Sequence, residues 1–336
     1  MKAAVLSPVA WRTPPRHYGP WEQVSSNIAE GLIKLGVEVT LFATGDSVTA
    51  GTLDAICEKG YEEDRSRDAK VLECLHISNL MEKAGQFDII HNNFDFLPLT
   101  YSRLIKTPVI TTIHGFSSQQ IIPVYKKYND TSNYVSISNS DRSPELNYLA
   151  TVYNGLNTDE FEFNEQPQEY LLYFGRIHPD KGTAEAIEIA RKSKRKLLIA
   201  GIVQDERYFK EKIEPQLNDD EVTYIGSAGP EKRNALLGNA IGLLHPINFA
   251  EPFGLSVAES MLCGTPVIAF NKGSMPELIK DNETGFLVNN VNEAAEVVDE
   301  LKNINRKACL DWASSQFSCE KMAGDYFRLY QEILGS

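Results

Sequence analysis

The sequence predicts an α/β protein made of two doubly wound domains. Short β-rich apolar runs alternate with amphipathic stretches of helical spacing, beginning with "KAAVLSP", "EQVSSNIAEGLIKLG" and "VEVTLFAT". The alternation restarts at "EYLLYFGR", after a stretch, "YNGLNTDEFEFNEQPQEY", in which Asn, Gly, Pro and Gln collect and periodicity lapses. A length of 336 residues also exceeds what one ordinary core accommodates.

In the first half, "FDIIHNN", "TPVITTIHG" and "NYVSISNS" each read as a strand ending in a polar or glycine turn. In the second half "RKLLIAG", "EVTYIGS", "AIGLLHP" and "GTPVIAF" do the same, with helical patterns between them. This is the rhythm of parallel sheets covered by helices. The expected domains are 1–155 and 156–317. Apolar residues at 42% and charged residues at 24% are ordinary for a globular chain. A net charge of −13 argues against a nucleic-acid or anionic-membrane binder but leaves room for a local basic site. No run of 18 apolar residues exists, and "MKAAVLSPVAWRTPP" breaks at Pro8, too early for a signal peptide. Peripheral membrane contact stays open. The five cysteines (57, 74, 263, 309, 319) are odd in number and form no CxxC pair, which suits reduced thiols in a cytoplasmic protein. Without clustered His and Cys ligands, no metal site is expected.

Open parallel sheets bind ligands at the carboxyl ends of their strands, so the residues after each strand are the candidates. Two such domains facing each other would make a cleft there. The first loop, "SPVAWRTPPRHYGPWEQ", lacks the GxGxxG of a dinucleotide binder. Ending in Gly19 at a helix start, it either lets backbone N–H groups approach a phosphate or packs its own aromatics as an Ω-like loop. "ITTIHGF" delivers His114 at a strand end, as a site residue or a satisfied structural histidine; His91 in "DIIHNNFDF" reads as structural or acceptor-side. "YFGRIHPDKG" places Arg176 and Lys181 after the second half's first strand, a pair suited to a diphosphate, or else two solvated cations. In "EPFGLSVAESMLCGTPVIAF", Glu251 lies in a loop, a helix starts around Phe253–Leu255, and Glu259 follows about a turn in. The amides of Phe253, Gly254 and Leu255 would face a ligand. Eight positions span roughly 12 Å if helical throughout, too far for a shared proton but suited to hydroxyls at two ends of an elongated ligand. A nucleotide-sugar has that shape, with a diphosphate between ribose and hexose. The plain alternative is one solvent-facing and one helix-capping glutamate.

Taken together these residues resemble the retaining glycosyltransferases of family 4, which have the GT-B fold. The likeness runs over nearly the whole chain, through "YGPWEQVSSNIAEGLIKLGVEVTLFATGDSVT", "TTIHGF", "VSISNSDR", "VYNGLNTDEF", "YFGRIHPDKG" and "EPFGLSVAESMLCGTPVIAFNKGSMPELIKDNETGFLV". The last block, with seven residues between its glutamates and a Gly-Thr-Pro-Val strand behind, is the most specific. It is most similar to a bacterial and cyanobacterial subgroup. The resemblance implies that Arg176 and Lys181 hold the diphosphate and that Glu259 holds the ribose hydroxyls. Glu251 and His114 would then lie beside the transferred hexose as the catalytic pair, and the Phe253–Leu255 amides would contact sugar and phosphate. It also implies that the last helix, about 318–336, crosses back to the N-terminal domain. One departure stands out: the family's first-loop Gly-Gly is here Gly19-Pro20, and proline offers no N–H to a phosphate.

The implied activity is retaining transfer of a hexose from a nucleotide-diphosphate sugar, UDP-glucose first and GDP-mannose second, to an acceptor hydroxyl on a sugar or small molecule. No cofactor or metal is implied, since the cations take its place. The N-terminal domain would bind the acceptor, through loops Trp11–Trp21 and Asn92–Leu97 with their aromatics Trp11, Tyr18, Trp21, Phe94 and Phe96. The C-terminal domain would bind the donor. The alternatives are a sugar-nucleotide epimerase or glycosyl phosphorylase on a related frame, and a binding module with a dead site.

Overall fold

The computed structural model describes residues 1–16, 19–218 and 220–335. The chain forms two compact units, each with its own sheet; Met1–Leu156 and the helix Cys319–Gly335 make unit 1, and Asn157–Ser318 make unit 2. Among the described residues, the sheet of unit 1 has seven strands: β1 (Lys2–Leu6), β2 (Glu38–Phe42), β3 (Thr52–Asp54), β4 (Ile89–Asn92), β5 (Val109–Ile113), β6 (Asn133–Ser136) and β7 (Tyr148–Thr151). Their order is β3-β2-β1-β4-β5-β6-β7, and every pairing is parallel. Unit 2 has β8 (Tyr170–Phe174), β9 (Lys196–Ala200), β10 (Val222–Tyr224), β11 (Gly242–His245), β12 (Val267–Phe270) and β13 (Gly285–Val288), in the parallel order β10-β9-β8-β11-β12-β13. The expected α/β class with two doubly wound sheets is what the chain adopts.

The central strands are apolar without alternation because helices cover both faces of a parallel sheet. Ala3–Leu6, Ile89–Asn92, Val109–Ile113, Gly242–His245 and Val267–Phe270 are buried throughout. Three strands escape the sequence reading, β3, β7 and β13, and each lies at a sheet edge. They are three or four residues long and are held by one neighbour.

Each sheet reverses its strand order at one place, between β1 and β4 in unit 1 and between β8 and β11 in unit 2. At such a point the connections leave in opposite directions and open a crevice at the carboxyl ends. This positions both sites described below.

The terminal helix completes the core of unit 1. Met322, Tyr326 and Tyr330, one turn apart, pack with Val24, Ile28 and Leu32 of the helix Pro20–Lys34 and with the sheet. The two tyrosines also satisfy buried polar groups. Tyr330 Oη lies 2.7 Å from His91 Nδ1, His91 Nε2 lies 2.7 Å from Thr112 Oγ1, and Thr112 Oγ1 lies 2.7 Å from Tyr326 Oη. Burial pushes the His91 imidazole down to about 3, so the ring is neutral. Of the two readings left open for His91, its full engagement in this chain supports the structural one. Tyr330→Phe strands His91 Nδ1 in the core and is expected to cost about 1–3 kcal/mol. Thermal unfolding of the variant measures this, and an unchanged midpoint would show that the polar chain adds nothing to stability.

Candidate active site

In unit 2, the loop after β8 carries Arg176 and Lys181 and the loop after β11 carries Glu251, so the order reversal brings them together. The Lys181 ammonium donates to Glu251 Oε2 and lies 4.8 Å from the Phe249 ring centre. Both side chains of the pair are largely buried, at 15% and 13% exposure. Arg176 donates to Asp180 Oδ2 at 3.2 Å and to Gln204 Oε1. Asp180 is held in turn by His178 Nδ1 at 2.6 Å. Gly182, next to Lys181, has φ 73°, and a Cβ there would stand 1.8 Å from Pro246 O, so no other residue lets the two loops approach this closely.

The Glu251 loop is braced from behind by Gly273 and Ser274. A Cβ on Gly273 would lie 2.3 Å from Glu251 N, Ser274 N donates to Glu251 O at 3.0 Å, and Ser274 Oγ donates to Phe253 O at 2.6 Å. Gly254, at φ 94°, caps the helix Leu255–Leu262; Val257 N donates to Gly254 O at 3.0 Å, so the amides ahead of it, Leu255 and Ser256, are the ones free to face a ligand. The Phe253 ring packs edge-on against Phe317 at 5.7 Å and is buried, so only its backbone can face a ligand.

The two glutamates do not share one helix. The helix begins at Leu255, so the 12 Å rise computed for a continuous helix does not apply, and the acids are separated by partner rather than by rise. Glu259 is buried and accepts from Arg233 Nη1 at 3.1 Å; Arg233 also meets Glu160 Oε2 at 3.4 Å and covers the Phe161 ring at 4.7 Å. Burial raises the Glu259 carboxyl, with Arg233 opposing.

Two residues here carried no sequence signal. Arg233 lies in an ordinary polar helix, Pro230–Asn239. His245 closes β11, and its Nε2, 3.8 Å from Glu251 Oε2, has no hydrogen-bond partner among the described residues. Burial, then the Lys181 charge, pushes His245 down to about 3, so it is neutral and forms no ion pair with Glu251.

In unit 1, His114 follows β5. Its Nε2 lies 3.0 Å from Asn93 Oδ1 and its ring stacks on Trp21 with centres 5.6 Å apart. Burial pushes His114 down to about 3. An amide oxygen accepts only, which assigns the proton to Nε2 and leaves Nδ1 as an acceptor. The neutral ring can hold a hydroxyl but adds no charge.

A cavity of about 490 Å³ opens at the β1/β4 reversal of the same sheet. The loop after β1 contributes Trp11, Gly19 and Trp21, and the loop after β4 contributes Phe94, Asp95 and Phe96. Gly19, φ 151°, caps the helix Pro20–Lys34. The four aromatics Trp11, Trp21, Phe94 and Phe96 therefore line one space; Tyr18 lies outside the described residues. Glu22, Glu73 and Tyr61 complete the wall and were missed, because they come from a helix turn and two distant segments that share no sequence pattern. Burial raises the Glu22 carboxyl to about 7 and Asp95 to about 6, and raises Glu73 as well. A phosphate cradle at Gly19 would thus face acids across the cavity, while Pro20 supplies no N–H.

Among the described residues no cluster of three or more His, Cys, Asp or Glu could hold a metal ion, and no helix is long and apolar enough to cross a membrane.

A sequence model of the group 1 glycosyl transferases matches residues 157–314, and one of glycosyltransferase family 4 matches residues 22–143. An uncharacterized 41.2 kDa protein in the cps region of Klebsiella pneumoniae is 29% identical over 293 residues, 74% of this chain and 80% of that one. The GDP-mannose:cellobiosyl-diphosphopolyprenol alpha-mannosyltransferase of Komagataeibacter xylinus is 24% identical over 76% of this chain and 74% of its own. Among solved structures, HepE of Anabaena in complex with UDP and glucose matches with a TM-score of 0.73 at 17% identity, over 98% of this chain and 99% of that one.

Proposed function

Because the chain belongs to the group 1 glycosyltransferases and has their GT-B architecture, we propose that it moves a hexose from a nucleoside-diphosphate sugar to an acceptor hydroxyl with retention of anomeric configuration. The observation that carries this reading is the Lys181–Glu251 pair at the strand-order reversal of unit 2, just before the first turn of Leu255–Leu262. A diphosphate arriving there takes Lys181 from Glu251 and meets Arg176 and the helix amides. Glu251, released from its cation, is then free to accept from the hexose hydroxyls. Glu259 accepts from the ribose, oriented by Arg233.

In the reaction the bond between the sugar's anomeric carbon and the phosphate oxygen breaks, and a bond to the acceptor oxygen forms on the same face. The acceptor proton passes to the departing phosphate oxygen. Lys181, Arg176 and the helix N-terminus stabilise the charge that develops on the diphosphate, which is the part a metal would otherwise play. UDP-glucose is the first donor to try and GDP-mannose the second, supported by the UDP and glucose bound to HepE and by the donor of the Komagataeibacter enzyme. A cytoplasmic setting is supported by five free thiols.

The test is release of nucleoside diphosphate from a panel of donors, read beside Glu251→Gln and Glu259→Gln. Glu259→Gln is expected to weaken binding of free nucleoside diphosphate by about tenfold, and Glu251→Gln to lower turnover while leaving that binding nearly intact. Equal nucleotide affinity in both variants would sink the end-to-end assignment. Absence of release from every donor would sink the transferase chemistry proposed for this site.

A further inference from the structure

The cavity of unit 1 identifies the chemical class of the acceptor. We infer that it takes a hydroxyl-rich acceptor bearing no phosphate or carboxylate, stacked between Trp11 and Trp21 and held by Glu22. This deepens the transferase reading and rests on it.

Glu22 is 3% exposed yet lines the cavity. Its Oε1 accepts from Trp11 N at 3.2 Å, and its own backbone N–H also bonds the carboxylate. A carboxylate has about four acceptor sites, so Glu22 keeps capacity to accept from a ligand hydroxyl at the cavity wall. The wall around it joins flat aromatic faces to polar acceptors, as small-molecule pockets of roughly 300–1,000 Å³ do.

The other polar groups are acidic too. Glu73 accepts from Tyr61 Oη at 3.1 Å. Asp95, held at φ 83° after β4, accepts from Tyr125 Oη at 2.5 Å, while Asn92 Nδ2 donates to its carbonyl at 2.8 Å. Asp95 stands in a backbone conformation that non-glycine residues seldom adopt, as at many ligand sites. Among the described residues the lining contains no Lys, Arg or His. The nearby Arg16 is spent on Asp46 and Glu63, and Arg12 Nε on the carbonyl of Asp46. The acids act on one another through the cavity: burial, then Glu73 and Glu22, raises the Tyr61 phenol, and Glu73 adds to the burial that raises Asp95. An anionic acceptor would enter this space against carboxylates with no counter-charge among the described residues, whereas hydroxyls find acceptors and an amine finds partners.

Tryptophan fluorescence of the full chain at pH 8, where Glu22 and Asp95 are ionised, tests this with D-glucose, D-glucosamine and D-glucose 6-phosphate. Glucosamine and glucose are expected to quench Trp11 and Trp21 with affinities at least about tenfold above that of glucose 6-phosphate. Trp312 lies in unit 2, so the quench must fall in the Trp11→Phe/Trp21→Phe variant. Glu73→Gln/Asp95→Asn, which removes charge at constant shape, is expected to bring the ratio towards one. Equal or tighter binding of glucose 6-phosphate, no quench by either unphosphorylated sugar, or a ratio unmoved by the double variant would each overturn the inference. None of these outcomes depends on turnover. A failure of donor cleavage therefore counts against the transferase reading alone, and a failure of sugar selectivity against the acceptor class alone.

Discussion

Lys181→Ala is expected to weaken nucleoside-diphosphate binding by about 1.5–3 kcal/mol, roughly ten- to a hundredfold, and to lower kcat/KM at least as far. Two effects add. The variant loses a charge-assisted contact to the diphosphate, and it leaves Glu251, itself largely buried, without its cation. The bare carboxylate then repels the incoming phosphates. Arg176→Ala is expected to cost less, because Arg176 is anchored on Asp180 and Gln204 and no buried acid depends on it alone. Isothermal titration with UDP and GDP separates the two effects. The double variant Lys181→Ala/Glu251→Gln should recover part of the lost affinity if the unmasked Glu251 charge contributes. Wild-type affinity in Lys181→Ala would remove the diphosphate from this site.

Glu22→Gln is expected to stabilise unit 1 at pH 8 and to leave it unchanged at pH 4. Burial raises the folded-state pKa of Glu22 from its ordinary value of 4.5 to about 7. At pH values below 4.5 the carboxyl is protonated in both folded and unfolded chains, and the native stability is fully present. As the pH rises from 4.5 to 7 the unfolded chain ionises first, so unfolding gains free energy and stability falls. Above 7 both states are ionised and the loss is complete, on the order of 3 kcal/mol. Glutamine keeps the oxygen that accepts from Trp11 N and carries no charge, so it escapes this loss. Thermal unfolding of both chains from pH 4 to 8 reads the difference. Parallel curves across that range would show that Glu22 does not titrate against a buried environment.

Much of the site was legible because its residues follow strands whose apolar runs are strong. Arg176 and Lys181 stand after "YLLYF" and Glu251 after "GLLH", and no other element is needed to place them at a carboxyl end. The helix after Gly254 was legible from its start around Phe253–Leu255. Other parts had no local signal. The resemblance implies a ribose role for Glu259, yet the orientation of its carboxyl depends on Arg233, which a different helix supplies. Gly273 sits in an unremarked loop, and only the approach of the Glu251 backbone shows why it is glycine. Glu22 looks like a first-turn acid that complements a helix dipole, and nothing in its neighbours reveals that it is buried.

The sequence alone determined the class of the fold, since the period of apolar residues and their continuous burial in central strands are local properties of a chain that must cover both faces of a sheet. It also determined which residue types stand at the strand ends. The tertiary structure alone decided which strand ends are neighbours. Strand order depends on long-range pairing, and no short window of residues encodes whether β8 lies beside β11 or β1 beside β4. Those two adjacencies join Lys181 to Glu251 in one unit and join Trp11 and Trp21 to Asp95 and Phe96 in the other. Burial was decided at the same level. Glu22, His114 and His245 take their charge states from the walls that desolvate them, and those walls are assembled from residues far apart in the chain.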